Sequence, residues 1–161
     1  MSEQRTRLLS ELNQEARWQS VHSVLLSQLA ASRAGLDPTT IEAFDVLQLS
    51  GPITAGRLGE LTGLTSSSVT SLIDRLVAAG LARREADPAD RRRVVVRPLP
   101  VPESIEEAVG PIYREIGQGM DDIYARYSEA ELALLRDFLR RTNEMTAHSI
   151  TALRHPRRGG G

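Results

Sequence analysis

No cysteine occurs among the 161 residues. Disulfides, thiolate zinc sites and thiol-based sensing of oxidants are therefore excluded. Lysine is absent too, so all twenty basic side chains are arginine. The aromatics are one Trp, three Tyr and two Phe, too few for the stacking platform on which single-stranded nucleic acids are held. His22, His148 and His155 stand far apart and show no metal-ligand spacing. There is no P-loop, no dinucleotide fingerprint, no paired-histidine motif and no serine at a defined spacing from a base. An enzyme is not expected, nor is a cofactor or metal. No apolar run is long enough to span a membrane, and no signal peptide is visible. The expected location is the cytoplasm, with no membrane partner.

What remains is ordinary for a globular chain: 40% hydrophobic and 25% charged residues, with a net charge of −1. The length fits a single domain with a core of its own. The near-neutral total argues against a protein that coats nucleic acid, but the charge is unevenly placed. Between Arg83 and Arg97 six arginines face three acids, a concentrated basic patch of the kind that meets phosphates.

That patch belongs to the most informative stretch, Ile53 to Leu99. Thr54 is placed to cap a short helix whose Leu58 and Leu61 point inward. Gly63-Leu64 makes a turn. Thr65 then caps a second helix, in which Val69, Leu72, Ile73, Leu76 and Val77 form one apolar stripe at helical period, with Gly80 as the stop. The opposite face is small and polar: Ser67, Ser71 and Asp74, flanked by Ser68, Thr70 and Arg75. A short helix, a tight glycine turn and a second helix with a polar outer face make a helix-turn-helix, whose second helix enters the DNA major groove. Beyond Gly80, Asp87-Pro88-Ala89-Asp90 reads as a turn and Val94-Val95-Val96 as a strand. Two strands around Arg91, Arg92 and Arg93 form a hairpin wing, with Gly51-Pro52-Ile53 as a minimal third strand.

The segments DPTTIEAFDVLQLSGPITAGRLGELTGLT, SSSVTSLIDRLVAAGLARRE and DPADRRRVVV resemble the MarR family of bacterial transcription regulators over roughly residues 36 to 97. The expected fold class is mainly α with a small β-hairpin wing (α+β): a winged helix-turn-helix over 36–99, with N- and C-terminal helices, 8–34 and 103–153, forming a dimerisation part, and a disordered tail at 154–161. The resemblance implies a homodimer that binds double-stranded DNA at a palindromic operator, in most cases as a repressor. The DNA-contacting set would be Thr65, Ser66, Ser67, Ser68, Thr70, Ser71 and Arg75 on the helix and Asp90, Arg91, Arg92 and Arg93 on the wing. Arg75 is the candidate for guanine, because arginine is its common bidentate partner. Arg92 would enter the minor groove, held by Asp90. The alternative is a winged helix that binds protein and has lost DNA.

Flanking this centre, residues 1–7 are polar and read as frayed, and a long helix runs from about Leu8 to Ser32. It has more apolar positions than one neighbour covers, which points to a dimer contact. Gly35 ends it, and Asp37-Pro38 opens the next helix, in which Ile41, Phe44, Val46 and Leu47 are the buried side. After the stiff Pro98-Pro100-Pro102 connector, a helix resumes at Glu103 and extends over some 22 residues, with a kink expected at Gly110-Pro111. Ser128-Glu129-Ala130-Glu131 is a capping box for the last helix, whose apolar stripe is Leu132, Leu135, Phe138, Leu139 and Met145. Many MarR-like proteins leave DNA on binding a small aromatic or phenolic effector. Trp18, His22, Phe44, Asp45 and Tyr113 are the residues here that would line such a pocket. Trp18 as a plain core or interface anchor and Asp45 as a surface acid are the alternatives.

Overall fold

The computed structural model describes residues 2–87, 90 and 93–154. They form α1 (Glu3–Ala34), α2 (Pro38–Ser50), β1 (Ile53–Thr54), α3 (Ala55–Thr62), α4 (Ser66–Ala78), β2 (Ala82–Ala86), β3 (Val94–Pro98), α5 (Glu103–Tyr124) and α6 (Glu129–Arg154). The class is mainly α with one three-stranded antiparallel sheet, in the order β1-β3-β2. The chain divides into two compact units, 1–110 and 111–161, with the division falling inside α5 at Gly110–Pro111. The helix continues through Pro111.

In the first unit, side-chain caps set the helix starts. Ser2 accepts a hydrogen bond from the Arg5 amide at 3.3 Å, so α1 begins at Glu3 and not at the first apolar residue, Leu8. Asp37 caps α2 by accepting from the Thr40 amide at 3.1 Å, with Pro38 at the first helical position. Thr54 accepts from Arg57 at 3.2 Å, and Thr65 accepts from Ser68 at 3.4 Å. Each satisfies an amide that the first turn would leave without a partner.

The core lies where α2, α3, α4 and the sheet meet. Ala43, Leu47, Leu58, Val69, Leu72, Ile73, Leu76, Leu81, Ala82 and Val96 are all buried there. Burying a leucine of this size contributes about 1.5–3 kcal/mol, so Leu47, Leu58, Leu72, Leu76 and Leu81, each at most 2% exposed, are the main source of cohesion. Two expected core positions are not in it: Leu61 and Val77 are each 38% exposed. Gly59 explains the first. A Cβ built at Gly59 would lie 3.0 Å from Val69 Cγ2, so α3 meets α4 through Leu58 and the bare Gly59 backbone, and Leu61 is turned to the rim. Gly63 makes the turn between the two helices in the left-handed region, at φ 74°. Val77 falls in the last turn of α4, on the edge of the stripe whose centre at that turn is the fully buried Leu76. There the chain reverses through a bond from the Leu81 amide to the Leu76 carbonyl, 2.9 Å.

The minimal strand expected at Ile53 is present. Ile53 pairs with Val96 and Thr54 with Val95, while β2 and β3 pair from Ala82↔Pro98 to Ala86↔Val94. This register turns Ala82 and Val96 into the core.

The second unit comprises the later part of α5 and all of α6. The capping box at Ser128 is reciprocal. The Ser128 amide donates to Glu131 at 2.8 Å, and the Ser128 hydroxyl accepts from the Glu131 amide at 3.4 Å. The Ser128 hydroxyl and amide together hold the Glu131 carboxyl below its ordinary value. No residue of α6 is buried. Leu135, Phe138, Leu139 and Met145, expected as its apolar stripe, are 38%, 51%, 55% and 64% exposed. α6 extends to Arg154, the first position of the expected tail; residues 155–161 lie outside the described residues. No helix among the described residues is long and apolar enough to cross a membrane.

Candidate nucleic-acid interface

α4 has two unlike sides because its sequence alternates at helical period. Val69, Leu72, Ile73 and Leu76 are buried. Thr65, Ser66, Ser67, Ser68, Thr70, Ser71, Asp74 and Arg75 are exposed. Hydroxyls crowd the N-terminal end. Thr65 Oγ1 lies 3.2 Å from Ser67 Oγ and 3.0 Å from Ser68 Oγ. The Thr70 hydroxyl donates to the Ser66 carbonyl at 3.1 Å and that of Ser71 to the Ser67 carbonyl at 3.3 Å. These local bonds leave each oxygen able to accept another and, by rotation, to donate outward. The first turn holds no acid, so the positive end of the helix dipole is not offset and is suited to a phosphate.

The wing is fixed to α4 by charge. Arg84 on β2 donates to Asp74 on α4 at 2.6 Å. On the neighbouring positions Glu85 accepts from two arginines, Arg83 at 2.7 Å and Arg97 at 2.8 Å. Arg97 lies diagonally across the ladder from Glu85, since Glu85 faces Val95. Arg97 foremost, helped by Arg83, holds the Glu85 carboxyl below its ordinary value against the opposing effect of lost solvent. Toward the tip, the Arg93 amide donates to the Asp90 carbonyl at 2.8 Å and its side chain meets the Asp90 carboxylate at 3.5 Å. Arg91 and Arg92, singled out from the sequence, lie outside the described residues.

Arg75 is engaged in a different place from the hydroxyls. Its Nε lies 3.0 Å from Asp37 Oδ2 and donates to Thr40 Oγ1 at 3.2 Å. Thr40 is only 1% exposed and its hydroxyl donates to Asp37 in turn. Partial burial works against the Asp37 charge, but the Thr40 hydroxyl and amide and the Arg75 guanidinium outweigh it and hold the carboxyl below its ordinary value. The sequence marks Asp37 as a cap and Arg75 as a surface arginine. Nothing in their separation of 38 positions reveals the pair. The tie between Asp74 and Arg84 was equally unforeseen.

Of the effector candidates, Trp18 and His22 come together. Their rings stack on α1 with centroids 5.5 Å apart and planes inclined by 21°. The shallow depression beside them is lined by Glu15, Trp18, Gln19 and His22, all of α1. Phe44 packs against the core instead. Asp45 is at the surface of α2, where loss of solvent and then the nearby Glu42 push its carboxyl up. Tyr113 belongs to the second unit and is 44% exposed.

A model of the MarR family matches residues 34–93, which runs from the end of α1 through β2 and stops just before β3. An uncharacterized HTH-type transcriptional regulator of Bacillus subtilis (strain 168), YcgE, is 39% identical over 132 residues, 82% of this chain and 84% of that protein. The chain belongs to the MarR family. A second HTH-type regulator of Bacillus subtilis (strain 168), YsmB, also uncharacterized, is 34% identical over 89 residues, 55% of this chain and 59% of that one. A MarR family protein of Bacillus stearothermophilus of known structure shares the fold, with a TM-score of 0.60 at 22% identity over 91% of this chain and 98% of the other. As a MarR-family transcription regulator the chain is a DNA-binding protein with a winged helix-turn-helix.

Proposed function

We propose that the chain acts as a homodimeric, effector-responsive repressor, in which two copies of α4 read the half-sites of a palindromic operator. The observation that carries this is the exposed hydroxyl face of α4 beside a wing tied to it by Asp74 and Arg84. Helix and wing are joined there by an ion pair and beneath it by the shared core residues Leu76, Leu81, Ala82 and Val96. Thr65, Ser66, Ser67, Ser68, Thr70 and Ser71 contact base edges and phosphates, and Arg91, Arg92 and Arg93 reach the backbone or minor groove. Dimerisation is supported by the apolar side chains left exposed on α1 and α6, among them Leu12, Val24, Leu29, Phe138 and Leu139, more apolar surface than a stable monomer leaves in water. Two-fold symmetry then matches a palindromic site. The stacked Trp18–His22 pair is the part of the chain best suited to a flat aromatic effector, which would act by favouring one dimer geometry over another. The site of action is the bacterial cytoplasm.

The test is a fluorescence-anisotropy titration on DNA selected from a random pool, at several salt concentrations, with scrambled DNA as control. Binding at two chains per duplex, with a preference over scrambled DNA and a steep loss with salt, is the expected result. Binding without preference or salt dependence would overturn it and leave a winged helix that binds protein.

A further inference from the structure

The operator-reading role of α4 leaves Arg75 without a part, and the geometry assigns it one. We propose that Arg75 is a positioning residue, which fixes the reading helix against the start of α2 through Asp37 and Thr40, and that the choice of bases rests with the hydroxyls N-terminal to it. This inference rests on the DNA-reading function proposed above.

Three observations carry it. First, the Nε–H of Arg75 is already committed, at 3.0 Å from the Asp37 carboxylate and 3.2 Å from the Thr40 hydroxyl. Those two bonds use Nε alone, so they fix where the guanidinium lies and hold α4 to the start of α2. Secondly, those partners are held in place. Asp37 is the N-cap of α2, accepting the Thr40 amide at 3.1 Å, and Thr40 is the one buried polar side chain among the described residues. Withdrawing Arg75 would take a donor from the buried Thr40 hydroxyl and leave the Asp37 carboxylate to solvent, at a modest cost because that ion pair is exposed. Thirdly, Arg75 is the tenth residue of α4, which starts at Ser66. At a rise of about 1.5 Å per residue it lies roughly 14 Å along the axis from Ser66 and about 6 Å from Ser71, so it stands behind the last hydroxyl of the N-terminal stretch with which reading helices touch bases.

The consequence concerns how α4 is aimed. Asp37 sits two residues after Gly35, where α1 ends in the left-handed region at φ 67°. The Arg75–Asp37–Thr40 cluster therefore joins the reading helix to the corner between α1 and α2. A change in the path of α1 at that corner moves the carboxylate to which Arg75 is bound, and α4 is re-aimed with it. Specificity is then set by the hydroxyls, and their orientation by Arg75.

The experiment is a double-mutant cycle on operator binding with Arg75→Ala, Asp37→Asn and the two combined. Affinities are measured for the selected operator, for every single-base variant of it and for scrambled DNA. Asparagine caps a helix as well as aspartate does, so Asp37→Asn removes the charge and spares the α2 start. Circular dichroism at the assay temperature verifies that each variant is folded. The expected result is a loss of roughly tenfold in operator affinity for each single variant, no further loss in the double variant and an unchanged order of base preferences. If Arg75→Ala flattens the preference at one base pair and Asp37→Asn does not, Arg75 is a base reader and the proposal falls. If the two substitutions couple only in melting temperature and leave operator affinity intact, the cluster is a structural tie alone and the proposal also falls. A wild-type chain that selects no operator would sink the DNA-reading function itself, a different failure from either of these.

Discussion

α4 and α6 are both amphipathic helices with apolar residues three and four apart, and they end up in opposite circumstances. α4 buries Val69, Leu72, Ile73 and Leu76. α6 buries nothing, and Phe138, Leu139 and Met145 are each more than half exposed. The difference lies in what surrounds them. α4 is 13 residues long and is met by α2, α3 and β2. Among the described residues of its own unit, α6 has 26 residues and the later part of α5 is the one other helix, and one neighbour cannot cover so long a stripe. An apolar periodicity shows that a face needs burial. Whether the cover comes from the same chain depends on which elements the chain folds beside it.

The sharpest way to test that contrast is to damage each face. Leu72→Ala removes a fully buried side chain and is expected to cost about 2–5 kcal/mol in chemical denaturation. Phe138→Arg should do far less to the fold of the single chain, because the position is 51% exposed. Its expected effect is on association: sedimentation reports monomers where the wild type gives dimers, and operator affinity falls roughly 10²-fold as the second half-site is lost. Dimers that survive Phe138→Arg would show that α6 is not the covered face.

A smaller effect separates the wing from α4. Arg92→Ala is expected to weaken binding to operator and scrambled DNA alike and to lower the slope of log affinity against log salt by about one unit, as loss of a single phosphate contact does. Titrations at four or more salt concentrations measure it. A changed base preference with an unchanged slope would make Arg92 a reader of groove width and not a charge contact.

Much of this architecture is legible in the sequence, for identifiable reasons. The caps Thr54, Thr65, Asp37 and Ser128 are local devices, complete within three or four residues, and all four form. The apolar stripe of α4 and the third strand at Ile53 follow from periodicity and β-branched density. The errors arise where a distant neighbour decides. Leu61 has the right spacing to be buried, but the close approach of Gly59 to Val69 rotates it to the rim. A miss of another kind is Ser2, a local cap that starts α1 earlier than any apolar pattern indicates. At the site, the exposed hydroxyls of α4 follow from the helical wheel. The ion pairs Arg75–Asp37 and Arg84–Asp74 join separate elements, and no local pattern encodes them.

The smallest effect concerns pH, and its sign follows from Asp37. Its carboxyl is held below the ordinary aspartate value of 3.8 in the folded chain. A carboxyl lowered in this way binds fewer protons folded than unfolded in the range between the two values, so stability rises with pH there. The contribution is fully present above the ordinary value and is lost as the pH falls through the lower, folded one. Because the Asp37 and Arg75 side chains are 42% and 46% exposed, solvent screens the pair and the effect is modest. The check is a comparison of wild type with Asp37→Asn in melting temperature from pH 6 downward. The wild type is expected to lose its advantage as the pH falls from the ordinary aspartate value through the lower, folded one, while the asparagine variant, still capped, changes less over the same interval. Parallel curves would show that the acid sensitivity comes from other carboxylates. Glu85 and Asp137, both held low by paired arginines, would then be the next to substitute.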